Sequence, residues 1–112
     1  MPRGQLKLTK EDKDWANLVK DRDGRKCVIC GEPFRLNAHH IIARENHETK
    51  FSLDNGLSLC PKHHFFCRQV SAHNNPIGLL LWMEKNRPEQ LQKVRLMMAS
   101  IVNENGYFYD SS

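Results

Sequence analysis

The residues able to do chemistry fall in four short stretches. These are Cys27-Val-Ile-Cys30, Ala38-His39-His40-Ile41-Ile42, Asp54-Asn55-Gly56-Leu57-Ser58-Leu59-Cys60 and His63-His64. Cys27-x-x-Cys30 and Cys60-x-x-His63 share one spacing. Two residues between ligands let a tight turn bring both side chains onto one tetrahedral ion, and two such pairs complete a set of four. A closed set of four holds a structural zinc, because no position is left for water or substrate. A redox reading of Cys27-x-x-Cys30 needs a surrounding βαβ pattern, which is missing here. Zinc at such a site contributes folding free energy directly, on the order of 10 kcal/mol. His64 could replace His63 beside Cys60, but only His63 keeps the two-residue spacing. Cys67, four residues after His63, could also reach the ion; it reads better as a small apolar residue or a free thiol.

Secondary structure must position these groups. Thr9, with Asp12 as its capping-box partner, predicts a helix over 10–22 whose face carries Trp15, Leu18 and Val19 and which ends at Asp23-Gly24. Residues 36–42 are β-compatible. There His39 and His40 would point to opposite faces, so a regular strand cannot bring both to one ion and their roles should differ. A polar loop over 43–53 leads to an Asn55-Gly56 turn and a second short strand over 57–60. Pro61 suits the first position of a helix running to about Gln69, and Asn75-Pro76 opens another to about Asn86. Pro88 opens the last helix, with Leu91, Val94, Met98, Ile101 and Val102 on one apolar face.

With 112 residues, the chain is read as one α+β domain. It comprises a basic arm over 1–10, a zinc-stapled core over 27–69, C-terminal helices over 75–103 and a frayed tail over 104–112. Only 39% of residues are hydrophobic, so the core is thin and a bound metal is an expected aid. Seventeen Lys and Arg against thirteen Asp and Glu leave a net charge of +4, which suits a polyanion such as DNA or RNA. No apolar run approaches the roughly 20 residues that span a bilayer. The N-terminus has no signal-peptide pattern, so no membrane partner and a cytoplasmic location are expected.

Taken together, residues 27–68 resemble the HNH, or ββα-metal, endonucleases. That family's pattern is Asp/His-His-Ile on a first strand, an Asn before a second, and a His at the start of a helix. The zinc-stapled subtype carries Cys-x-x-Cys-His where this chain has Cys60-Pro-Lys-His63-His64, and His for Cys is a conservative change for zinc. The arrangement also resembles small phage-encoded HNH proteins, which would put it in a bacterial host cell. The resemblance implies a ββα-metal core with flanking helices and a metal-dependent cleavage of phosphodiester bonds in DNA, with RNA as another substrate class. His40 matches the general base, Asn55 the residue that pins the base or its loop, and His39 and His64 the ligands of a catalytic divalent ion. The residue types suit the chemistry, since hydrolysis needs a base for water, a cation for developing charge and a means of orienting the base. With imidazoles in place of carboxylates, Mn²⁺, Co²⁺ or Ni²⁺ should serve at least as well as Mg²⁺. The rival reading is a zinc module that binds nucleic acid or protein without catalysis, and it leaves His39, His40, Asn55 and His64 unexplained.

Some ββα-metal nucleases have a third ligand one turn beyond the helix histidine; here Arg68 stands in that place and suits a phosphate contact. His73 could join the metal only if the helix stops near Val70 and the chain folds back through Ser71–Pro76; otherwise it caps or faces solvent. His47 is expected in solvent. Arg44, Lys50 and Lys62, with Arg25 and Lys26, are expected around the site as phosphate contacts that position a duplex without reading its sequence.

Overall fold

The structure is a computed structural model that describes residues 8–106. Its elements are α1 (Lys10–Arg22), β1 (Asn37–His40), β2 (Gly56–Leu59), a π-helical turn (Lys62–Phe66), α2 (Pro76–Asn86) and α3 (Pro88–Glu104). β1 and β2 form one antiparallel pair, with His39 opposite Leu57 and His40 opposite Gly56. The fold is α+β, as expected. Most of the expected arm and tail lies outside the described residues; Lys10 belongs to α1 and Glu104 ends α3. None of the described helices is long and apolar enough to cross a membrane.

α1 begins as its sequence predicts. Thr9 Oγ1 accepts from the Asp12 N–H at 3.1 Å, and the Asp12 carboxylate accepts from the Thr9 N–H at 2.9 Å. Trp15 and Val19 are buried against the sheet, but Leu18 is 53% exposed, a correction to the expected face. A two-stranded sheet covers only a narrow stripe of helix, and Leu18 lies about 60° around from Trp15, away from Val19. Gly56 also differs from expectation. It is extended at φ −141°, not a turn glycine, and begins β2. A Cβ there would stand 2.6 Å from the Trp15 ring and 2.8 Å from a Val19 methyl, so glycine lets α1 lie directly on the strand.

Every residue of β2 is buried. Leu57 and Leu59 pack with Cys27, Cys60, Ala72, Leu79, Met83 and Leu91. Each fully buried Leu or Met side chain contributes about 1.5–3 kcal/mol. A polar tie closes the other end. Asp23, with its side chain fully buried, accepts from Arg22 and Arg87 and from the Ser58 N–H. Burial pushes that carboxyl up, but these donors together hold it below the usual carboxylate range. Gln90 of α3 donates to the Asp54 and Gly56 carbonyls, so α3 is anchored to the start of β2.

The helix expected over 61–69 is the main departure. It is a single wide turn over Lys62–Phe66, closed by the Cys67 N–H on the Lys62 carbonyl at 2.7 Å. The chain then reverses, and the N–H groups of Ala72 and His73 reach the carbonyls of His63 and His64. Side-chain amides replace the helical donors that this reversal removes: Asn74 donates to the Phe66 carbonyl and Asn75 to the Arg68 carbonyl. Gly78 completes the reversal, because a Cβ there would meet the Gln69 carbonyl oxygen at 1.9 Å. α2 and α3 start at Pro76 and Pro88 as expected, with the Asn75 side chain capping Gly78. Leu91 and Val94 are buried, Ile101 and Val102 half-buried, and Met98 is 41% exposed. The 17-residue α3 outruns the 11-residue α2, so its apolar face loses cover along its length.

Candidate active site

The Cys27-x-x-Cys30 turn closes through the Gly31 N–H on the Cys27 carbonyl and leans on β2 through the Val28 N–H and the Ser58 carbonyl. This brings Cys27 and Cys30 to Cys60, with all three sulfurs within 4.8 Å of one another. Cys30 and Cys60 are 3.6 Å apart, and thiolates sharing one tetrahedral zinc at ~2.3 Å stand roughly 3.8 Å apart. Burial and the neighbouring sulfurs push the Cys30 thiol up to about 11. Cys27 is pulled below its ordinary value despite burial, by backbone donors from Cys60, Cys30 and Ile29. Three sulfurs this close can all ionise only around a cation, so the cluster is compatible with a structural metal.

His63 lies outside that group of mutually close atoms. It is buried, and its Nδ1 stands 2.8 Å from the Val70 carbonyl. Such a bond fixes the tautomer and leaves Nε2 as the nitrogen with a free lone pair. Cys67 is also outside the group; it is half-buried, and its sulfur accepts from the Val70 N–H at 3.5 Å.

A second cluster lines the same cleft as α1. His39 from β1, His64 from the π-helical turn and His73 from the returning chain offer nitrogens all within 4.8 Å of one another. Their ring centroids are 4.8–5.4 Å apart. Burial, with the neighbouring histidines adding to it, pushes His39 down to about 3 and His64 down to about 4. Both rings are therefore neutral at neutral pH, the form that ligates metal. The Nδ1 of His64 is buried and, among the described residues, has no hydrogen-bond partner. An orphaned nitrogen among three converging imidazoles fits a cation.

His40 leaves the opposite face of β1 and stacks on the Trp15 ring, with centroids 3.9 Å apart and planes 10° from parallel. Its Nε2 lies 2.9 Å from the Lys50 carbonyl. An N–H must donate to a carbonyl, so Nε2 carries the proton and Nδ1 has the free lone pair. Burial lowers the His40 pKa, with Arg44 and Lys50 assisting, against the opposing Lys50 hydrogen bond and the Asp12 charge.

Asn55 is fully buried. Its Oδ1 accepts from the Ile42 N–H at 2.6 Å, and its Nδ2 donates to the carbonyls of Ile42 at 3.0 Å and Thr49 at 3.2 Å. It thus ties the exit of β1 to the loop residue that precedes Lys50.

Sequence reasoning missed two contributors outside the four stretches. Trp15 reads as a core residue from periodicity alone, yet it backs His40 and donates to the Ser52 carbonyl at 2.9 Å. Asp12 reads as a cap, yet its carboxylate also meets Arg44 at 3.2 Å and Lys50 at 3.5 Å. The Thr9 backbone N–H, and then those two cations, hold Asp12 down to about 2. Arg44 lines the cleft and Lys50 is half-buried, so both are already engaged with this acid. Lys62 and Arg68 are exposed, and His47 is in solvent as expected. Arg25 binds Asp21, and Lys26 lines a separate 520 Å³ cavity, so neither lies on the histidine cleft.

That cleft has a volume of about 830 Å³ and runs between α1 and the rims formed by His39, His40, His64 and His73. No curated protein and no solved structure matches the chain. Residues 27–66, which hold the three cysteines, β1, Asn55 and His64, match the family model described as HNH endonuclease. Over that segment, about a third of the chain, the protein is similar to HNH endonucleases.

Proposed function

We propose that the chain is a DNA endonuclease that hydrolyses phosphodiester bonds, with His40 as general base and a divalent ion held by His39, His64 and His73. The observation that carries this reading is the convergence of three imidazoles beside a fourth, His40, whose Nε2–H is committed to a carbonyl. Cys27, Cys30 and Cys60, with His63 as the fourth ligand, hold a structural zinc away from the reaction. A divalent ion at the histidine cluster supplies the positive charge that stabilises negative charge developing on the phosphate oxygens.

The chain's own residues do the rest. His40 Nδ1 accepts the proton of the attacking water. Trp15 holds the ring from behind, and the Lys50 carbonyl keeps the proton on Nε2 so that Nδ1 stays basic. Asn55 fixes the backbone on both sides of that bond. Lys62 and Arg68, both exposed, contribute phosphate contacts that do not read sequence, while Arg44 and Lys50 are held by Asp12. Nitrogen ligands favour Mn²⁺, Co²⁺ or Ni²⁺ at least as strongly as Mg²⁺.

The test is cleavage of supercoiled plasmid by the zinc-loaded protein, first without added ion and then with Mg²⁺, Mn²⁺, Co²⁺ or Ni²⁺. Cleavage that depends on the added ion and stops with chelator is expected. Protein that retains zinc and fold yet cleaves neither DNA nor RNA with any of these ions is a binding module instead.

A further inference from the structure

We propose that α1 is the second wall of the substrate cleft and grips the nucleic-acid strand by its phosphates through Lys13 and Lys20. This rests on the phosphodiesterase reading above. α1 lies outside the residues that match the family model. Yet Lys13, Ala16, Asn17 and Lys20 all line the cleft whose far side carries the histidines. The spacing i, i+3, i+4, i+7 places them on one helical face. That face stands in a fixed relation to the reacting groups, because Trp15 of the same helix is stacked on His40 and bonded to Ser52.

The charge of this face is uncompensated. Among the described residues neither Lys13 nor Lys20 is in an ion pair, whereas Lys10 is paired with Asp14 and Arg25 with Asp21. Among the described residues Asp12 is the one acid lining the cleft, and Arg44 and Lys50 already neutralise it. The unpaired cations Lys13 and Lys20 suit an anionic occupant.

The spacing also sets the occupant's length. Seven residues of helix separate the two ammonium stems by about 10 Å. One small anion cannot engage both, but two separate phosphates of one strand can. Ala16 leaves space between the lysines, and the Asn17 Oδ1 is held by Arg25 at 3.2 Å, which leaves its Nδ2 to donate. The chemistry recognised is thus a run of phosphates along one strand, laid between α1 and the histidine cluster.

The experiment measures binding of a fluorescent DNA duplex to zinc-loaded protein between low and moderate salt, with the catalytic ion omitted. Steady-state cleavage is then measured with the ion present. Lys13→Gln/Lys20→Gln should lower the slope of log affinity against log salt by about two, at ~0.9 per phosphate contact. KM should rise while kcat at saturating DNA stays within about twofold. The single variant Lys13→Gln, at an exposed position, should lose about one unit of slope and guards against misfolding of the double variant. Lys85→Gln, exposed on α2 and away from the cleft, should change nothing. An unchanged slope in the double variant, or an equal change in Lys85→Gln, overturns the proposal while wild-type cleavage still stands. Wild-type protein that neither binds nor cleaves nucleic acid overturns this proposal and the phosphodiesterase reading together.

Discussion

His40 Nε2 donates to the Lys50 carbonyl oxygen at 2.9 Å, across a separation of 10 residues. The bond closes the loop between the two strands onto the base, and Asn55 holds that loop from within at Thr49. Asn55→Ala should strand three buried backbone groups, those of Ile42 N–H, Ile42 C=O and Thr49 C=O. Each unsatisfied group costs about 1–3 kcal/mol. Urea unfolding should show a loss of roughly 3 kcal/mol or more, and residual folded protein should cleave slowly because His40 is no longer oriented. Wild-type stability in this variant would show that the three bonds carry no weight.

The cysteine cluster predicts a metal-dependent fold. Cys27→Ser or Cys60→Ser should leave the chain largely unfolded, since both residues sit in the main apolar core and at the candidate zinc. Elemental analysis of wild-type protein should find about one zinc per chain after mild dialysis. A cooperatively melting Cys27→Ser protein without zinc contradicts this.

The histidine cluster predicts three variants that behave alike. His39→Ala, His64→Ala and His73→Ala should each raise the divalent concentration for half-maximal cleavage. The rise should exceed the roughly 10- to 100-fold that loss of an outer-shell partner costs. Excess ion should restore part of the rate. A His73→Ala protein with unchanged metal dependence removes His73 from the set.

The case of His73 shows where sequence reasoning runs out. Caps and prolines gave α1, α2 and α3 their starts, because those signals act within one turn of helix. The Cys27-x-x-Cys30 spacing brought that pair together on paper as it is in space, with Cys60 beside it, whereas His63 of the second pair stands outside the group of close atoms. The reversal after Phe66 is different. It depends on Asn74 and Asn75 side chains satisfying carbonyls eight and seven residues back, and on Gly78 passing over Gln69. No local propensity encodes such contacts, so a continuous helix to Gln69 was the natural expectation. The stacking of Trp15 on His40 was hidden for the same reason, since its only sign in the sequence is a glycine at position 56.

The lowered pKa of His40 predicts the pH profile. A base must be neutral, and an ordinary histidine becomes protonated as pH falls through about 6.5. Burial lowers the His40 value, so the neutral form survives to lower pH and cleavage at saturating ion should begin to fall only below that point. His39 and His64, held at about 3 and about 4, should stay neutral and able to ligate over the same range. A profile that falls with its midpoint above 7 runs against the sign of these shifts.

The central claim is that His40 moves the proton, and its most direct test is single-turnover cleavage of plasmid by His40→Ala at saturating divalent ion. A positioned general base contributes roughly 10²- to 10⁴-fold, and the rate should fall by that factor. Zinc content, melting cooperativity and DNA affinity should match wild type, because His40 belongs to neither metal-ligand group. Raising the ion concentration should not restore the rate, which separates this variant from those of His39, His64 and His73. Cleavage by His40→Ala at the wild-type rate would contradict the account.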